Sequence, residues 1–183
     1  MKPVLALLCL LLLVQPAAAE PSAASARAFM TAAVARLNAT NGPDVGVPLT
    51  NDWYDQSLAD LMSENLQLLQ AAGIARDPEF DWLCQCLEHG HHYRLVSVIH
   101  DGPSTTARAM LEHKNPDGTN RRLYAVTLRP VGGDWRIADI GIPNPPPNTT
   151  GNTSGIRQIR AFLAHRNACF RGGFPPNFCI AEQ

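Results

Sequence analysis

Apolar residues in the first third of the chain recur about every 3.6 positions, which is the repeat of an amphipathic helix. One such segment runs over about 22–39 and a second over about 55–72. Turn-forming residues at 41–44 separate them, and Gly73 follows the second at the place where glycine ends many helices. The pattern predicts two helices before any strand.

From Tyr93 onwards, apolar residues recur at every second position, which is the period of a β-strand. Strands are predicted at 93–100, at 105–113 and in both arms of a hairpin over 121–143, whose turn is the Gly-Gly pair at 132–133. The strand 93–100 has apolar residues on both faces, so we expect it to be central and covered on each side. Four strands joined by short turns predict an antiparallel meander.

A last helix is predicted over about 155–168, with Ser154 as its N-cap, and a Pro- and Gly-rich tail follows. Helices followed by a meander make an α+β fold. We expect the N-terminal helices to pack on a curved four-stranded sheet, which forms a cone with one open end where a ligand would bind. The predicted domain covers 20–168, and 169–183 is a tail held by its cysteines.

The beginning of the chain has the pattern of a secretory signal peptide. Lys2 precedes an apolar run at 4–14, and three alanines at 17–19 form a small-residue cleavage site. We expect cleavage before Glu20 and a periplasmic or secreted protein. No later segment has the roughly 18 consecutive apolar residues that a membrane span requires.

The formal net charge of −1 gives the chain no general attraction to nucleic acid or to anionic membranes. Its C-terminal third is nevertheless modestly basic. Six arginines contribute to this bias, namely Arg121, Arg122, Arg157, Arg160, Arg166 and Arg171. The simpler interpretation is a solvated helix face, and the alternative is recognition of an acidic partner or a carboxylate.

Four cysteines follow the apolar run: Cys84, Cys86, Cys169 and Cys179. An even number in an exported chain indicates two disulfides, for which three pairings exist. A bridge between Cys84 and Cys86 would be strained. We therefore favour pairing of both C-terminal cysteines with the Cys84–Cys86 segment, and a local Cys169–Cys179 bridge is the alternative.

Three segments carry a resemblance to a known family. They are Tyr54-Asp-Gln-Ser-Leu-Ala-Asp-Leu-Met62, Asp81-Trp-Leu-Cys-Gln-Cys86 and the strand Trp135-Arg-Ile-Ala-Asp-Ile140. They are similar to the bacterial envelope family called DUF3828, and the similarity spans about 26–163. That family is placed in the NTF2-like superfamily of α+β cones. The resemblance implies the cone fold but no catalytic motif.

A possible metal site combines Cys84 and Cys86 with His89, His91 and His92. Thiolate and imidazole are the ligands that zinc and copper prefer. Because the cysteines of an exported protein usually oxidise, we expect no metal and no cofactor here.

A possible ligand pocket is suggested by the resemblance, since isomerases of that superfamily face a carboxylate base with a tyrosine or acidic donor. Asp81 or Asp139 is the candidate base, and Tyr54 or Tyr124 is the candidate donor. The candidate ligand-binding side chains are Trp82, Tyr93, His100 and Trp135. The competing interpretation is that these aromatics form the core and that Asp139 faces water.

The sequence alone favours a non-catalytic binding protein, monomeric or homodimeric, that recognises a protein partner or a small ligand through the cone pocket or the sheet face. One alternative is a cofactor-free isomerase, cyclase or dehydratase that uses a pocket Asp–Tyr pair. Another is an immunity or inhibitor protein for an exported enzyme. No feature of the sequence decides among these hypotheses.

Overall fold

The computed structural model describes residues 21–39, 49–74, 92–100, 106–114, 121–141 and 158–180. It contains, in chain order, α1 (Ala23–Leu37), a short 3₁₀ turn (Asn51–Trp53), α2 (Gln56–Ala71), β1 (His92–His100), β2 (Ala107–Lys114), β3 (Arg121–Val131), β4 (Asp134–Gly141), α3 (Ile159–Arg171) and α4 (Pro176–Ile180). The sheet order is β1-β2-β3-β4 with antiparallel pairing throughout. The predicted α+β meander is confirmed. The predicted signal peptide lies outside the described residues.

Both N-terminal helices begin at side chains that satisfy the unpaired amides of a first turn. Ser22 and Ser25 form a reciprocal capping box at the start of α1, in which Ser22 Oγ accepts from Ser25 N at 3.1 Å and Ser25 Oγ accepts from Ser22 N at 3.0 Å. At α2, the Asp55 carboxylate accepts from Leu58 N at 2.9 Å. Gly73 follows this helix with a φ of +71°, as predicted from its position.

The β3–β4 hairpin turns at Gly132 and Gly133, whose φ angles are +62° and +92°. Positive φ at both central residues is the geometry that matches the twist of a two-residue hairpin, and glycine adopts it without strain. Beyond the turn, Leu128 pairs with Ile137 and Val126 with Ile140. All four side chains are fully buried, so the predicted hairpin has one face on the core.

Among the described strands, β1 lies at the edge of the sheet, and the prediction that it is central was wrong. Its outer face leaves Ile99 55% exposed and Val96 44% exposed. The register against β2 shifts between Leu95 and Ser97, so Val96 is the extra residue of a β-bulge. The bulge offsets the alternation by one position and puts both Leu95 and Val98 on the inner side. Apolar residues occur at both odd and even positions of β1 because the bulge shifts the alternation. They do not show that both faces of the strand are covered.

A hydrophobic cluster joins the helices to the inner face of the sheet. Helix α1 packs against β1, β2 and β4, while α2 and α3 pack against each other and against β4. Fully buried members come from every layer and include Met30, Leu58, Leu111, Ile137 and Leu163. Burial of each such side chain contributes about 1.5–3 kcal/mol to folding. None of the helices in the described ranges has both the length and the apolar content that a membrane crossing needs.

The last long helix starts and ends later than predicted, covering Ile159–Arg171. Its N-cap position is Gln158, which makes no side-chain capping bond, and Asp139 of β4 instead accepts from Arg160 N at 3.1 Å. The Asp139 carboxylate, from the neighbouring strand, thus caps the first turn of α3, a role that was predicted for Ser154. Ser154 itself lies outside the described residues.

The tail folds back on α3. A turn at Gly172 and Gly173, the latter with a φ of +74°, leads into α4 and returns Cys179 to Cys169. These two cysteines form a disulfide with their Cα atoms 5.7 Å apart. The favoured pairing of both tail cysteines with the Cys84–Cys86 segment was therefore wrong, and the local alternative is correct. Cys84 and Cys86 lie outside the described residues.

Candidate functional site

On the inner face of the sheet, two predicted site residues lie around a histidine that was not predicted. The His113 ring is 5.2 Å from the Tyr93 ring and 6.2 Å from the Tyr124 ring. All three residues are at most 4% exposed. The alternation along β2 could have predicted that His113 is buried, because it places His113 on the same face as Ala109 and Leu111. Its burial between two aromatic rings makes the cluster part of the core packing.

The other predicted aromatic residues meet at the opposite end of β1. His100 lies 5.6 Å from Trp135 in an edge-to-face contact, and Trp135 Nε1 donates to Ser25 Oγ at 2.9 Å. Tyr54 is 5% exposed and forms a parallel bridge with Ile137. The predicted ligand-binding residues therefore belong to two separate contacts, and Trp82 lies outside the described residues.

Asp139 does not face Tyr124, so this predicted base–donor pair is not formed. Asp139 pairs with Thr127 on the outer side of the sheet, whereas Tyr124 is on the inner side at 1% exposure. The Asp139 carboxylate accepts from Ile140 N at 2.9 Å and from Arg160 N at 3.1 Å. Asp139 fixes the start of α3. The other candidate base, Asp81, lies outside the described residues.

A buried carboxylate that was not singled out as a site residue links the start of α2 to β3 and α3. Asp55 is 4% exposed, accepts from Arg160 Nη2 at 2.7 Å and lies 3.4 Å from Arg129 Nη1. Arg160 also donates to the Ala138 carbonyl through Nε at 3.0 Å. Because the polar groups of Arg160 bind its own chain, this cluster is structural. Sequence reasoning located Asp55 as a helix start but could not supply its distant partners.

The remaining arginines of α3 also contact their own chain. Arg171 lies 3.1 Å from Glu64 of α2. The Arg166 guanidinium is 5.5 Å from the centre of the Phe162 ring, and burial lowers the pKa of Arg166. Arg157 lies outside the described residues. The arginines of this helix therefore mainly contact other residues of the same chain.

A groove of about 330 Å³ lies beside the disulfide at the C-terminal end. Its lining comes from α3 and the returning tail and consists of His165, Ala168, Cys169, Phe174, Phe178 and Cys179. The two phenylalanine rings stack at 5.7 Å and remain 54% and 58% exposed. The groove is predominantly apolar, and among the described predicted site residues only the two cysteines line it.

The predicted metal site is described only at His92, because His89 and His91 lie outside the described residues. His92 is exposed at the start of β1. Within the described part of the chain, no group of three His, Cys, Asp or Glu side chains is placed to hold a metal ion.

The outer face of the sheet has an exposed apolar centre. Ile99, Val96 and Leu123 are between 44% and 55% exposed, and Met110 and Ala125 lie between them, partly buried. Met110 and Ala125 are direct cross-strand partners. Isolated exposed apolar residues are ordinary, but a group on neighbouring strands of one face is typical of an interaction surface.

One end of this outer face contains a buried acid between two arginines. Glu112 of β2 is 1% exposed, and its Oε2 accepts from Arg94 Nε at 2.7 Å. Arg121 forms an ion pair with Oε1 from the other side. The two arginine side chains are themselves 58% and 63% exposed. Glu112 therefore holds two arginine side chains that are each more than half exposed at the sheet surface.

Fold and site define an α+β protein with an antiparallel meander, whose outer sheet face combines an apolar centre with a basic end. No protein-family model, curated protein or solved structure matches this chain in our comparisons. The resemblance to the DUF3828 family accordingly stays a prediction.

Proposed function

We propose that the chain is an exported, non-catalytic binding protein that recognises a protein partner through the outer face of its sheet. The observation that carries this proposal is the exposed apolar group of Ile99, Val96 and Leu123, which we call the outer apolar patch. It lies on a hydrogen-bonded sheet, with Val96 at the bulge of β1, so its side chains are held in fixed positions before binding. Such preorganisation reduces the entropic cost of association.

The size of this face suits a modest interface. Three inter-strand spacings of about 4.8 Å and roughly eight residues at about 3.4 Å each give a footprint of about 14 by 27 Å. That is less than the roughly 800 Å² per partner of a standard stable interface. A transient complex, or a partner that extends beyond the sheet, is the expected form of binding.

Binding rather than catalysis is also favoured by the roles of the described polar residues. Asp139 caps α3, and Asp55 is paired with Arg160. Tyr93, Tyr124 and Trp135 pack in the core at 1–3% exposure. A general base needs to reach the proton that it abstracts, and these carboxylates are already engaged by the fold.

Export is supported by the Cys169–Cys179 disulfide, because such bonds persist in oxidising compartments and are rare in the cytosol. We infer that the apolar run near the start of the sequence is a signal peptide and that the mature chain resides in the periplasm or outside the cell. Partners are accordingly to be sought in the same compartment.

The proposal is tested by affinity capture from the native source with matched surface variants. Ile99→Asp introduces a charge into the outer apolar patch, and Phe174→Asp introduces one into the C-terminal groove at nearly the same exposure, 54% against 55%. Circular dichroism and thermal melts establish that both variants fold. A partner that is retained by Phe174→Asp and lost by Ile99→Asp supports the sheet face. The reverse result would place binding in the groove and contradict the proposal.

A further inference from the structure

The outer face of the sheet carries a cross-strand row of basic residues next to the outer apolar patch. The pairing registers join His92 to Lys114 and Lys114 to Arg121, so three strands contribute one residue each. Two residues further along, Arg94 pairs with Glu112 on the same face. We call His92, Arg94, Lys114 and Arg121 the basic end.

Among the described residues, the positive charge of the basic end is only partly compensated. Glu112 interacts with both Arg94 and Arg121 and is 1% exposed. Across the described ranges, no acidic side chain lies within ion-pair distance of Lys114, which is exposed. Like charges placed directly opposite on adjacent strands destabilise a sheet, so the Lys114–Arg121 pair works against the isolated fold.

Glu112, an acidic residue of the chain itself, positions Arg94 and Arg121 so that they can bind a ligand. Arg121 contacts Glu112 through Nε, and its side chain remains 63% exposed. A guanidinium has five N–H donors in a planar fork that matches carboxylate geometry. Glu112 thus limits the rotamers of Arg94 and Arg121 and lowers the entropy that binding would cost. We assign it a positioning role.

We propose that the basic end binds carboxylate groups of an acidic protein partner while the adjacent outer apolar patch contacts that partner's apolar side chains. This inference rests on the proposed function and specifies the partner's chemistry. Charge complementarity favours such a partner over a second copy of the chain, because a symmetric pairing of this end would bring cationic rows together.

The test uses a synthetic dodecapeptide of alternating glutamate and leucine, titrated into the full exported chain and followed by amide chemical shifts. We expect the largest shifts on β1, β2 and β3 at the basic end, with affinity falling as salt is raised. Lys114→Gln and Arg121→Gln should each raise Kd about two- to fivefold. Arg27→Gln is the control, since Arg27 is exposed on α1, which packs on the inner face of the sheet, and this substitution should leave Kd unchanged.

Several results would overturn the inference. They are the absence of peptide-induced shifts at the basic end at millimolar peptide, equal weakening by Arg27→Gln, and equally tight binding of a glutamine–leucine peptide or of an oligonucleotide of the same charge. These results are separable from failure of the proposed function. If the peptide results contradict the inference but Ile99→Asp still abolishes capture of the native partner, the sheet face binds a partner of different chemistry. If the peptide binds as expected but capture survives Ile99→Asp, the proposed function is wrong.

Discussion

Replacing Glu112 with glutamine tests whether this buried acid holds the basic end together. The substitution keeps the side-chain shape and removes the charge. In the native protein, Oε2 accepts from Arg94 Nε at 2.7 Å, with Arg94 Nη2 at 2.6 Å, and Arg121 contacts Oε1. The glutamine amide nitrogen would instead face a guanidinium, so one buried donor would have no acceptor.

The expected loss of stability follows from the exposure of the partners. A hydrogen bond to a charged group contributes about 1.5–3 kcal/mol when sheltered, but an exposed ion pair contributes only about 0.2–1 kcal/mol. Because both arginines are more than half exposed, we assign roughly 1 kcal/mol to each. Glu112→Gln should therefore lower the free energy of unfolding by about 2 kcal/mol, which corresponds to a Tm lower by roughly 4–8 °C.

Urea unfolding and thermal melts, both followed by far-UV circular dichroism, measure this change. Asp134→Asn is the matched control, since its carboxylate is 76% exposed and lies 3.7 Å from Arg136 on the same sheet. It should cost less than about 0.5 kcal/mol. If Glu112→Gln costs no more than Asp134→Asn, Glu112 does not link the two arginines and the positioning role is refuted.

Three further predictions concern the framework that supports this face. Asp55→Asn keeps the helix cap but weakens the ion pair with Arg160, so it should lower the free energy of unfolding by about 1–2 kcal/mol. Asp55→Ala loses both interactions and should lower it by about 2–4 kcal/mol. Equal losses of the two variants in urea unfolding would contradict the dual role of Asp55. Reduction of the Cys169–Cys179 bridge, or Cys179→Ser, should lower stability by up to about 2–3 kcal/mol, and hydrogen exchange should increase first in α4. Unchanged exchange in α4 would show that packing, not the disulfide, holds the tail. Trp135→Phe removes the donor to Ser25 and should cost about 1–2 kcal/mol in thermal unfolding, so an unchanged Tm would exclude that bond as a support for α1.

Local patterns in the sequence were sufficient to predict most of the elements. The Gly132–Gly133 turn and the alternation around it specify the hairpin, and serine and aspartate caps begin the first two helices. The bulge at Val96 was not predictable, because one extra residue changes the face of each later side chain without changing composition. That residue is the reason β1 was taken for a central strand.

Site residues were harder to predict because their roles depend on partners far apart in sequence. The carboxylate of Asp139 caps a helix that begins 20 positions later, and Asp55 meets Arg160 across 105 residues. Alternation does place Glu112 on the face opposite Leu111. Its burial between Arg94 and Arg121 follows from the strand registers, which no local pattern reveals.

The most direct test of the central claim is site-specific photo-crosslinking of the exported chain in its native cell. A photoreactive amino acid at Ile99 or Leu123 samples the outer apolar patch, and the same amino acid at Phe178 samples the C-terminal groove at similar exposure. We predict one discrete adduct with a different, acidic protein from both sheet positions and not from position 178. Adducts from position 178 alone, or adducts of only the chain with itself, would contradict the assignment of the outer sheet face as the binding surface.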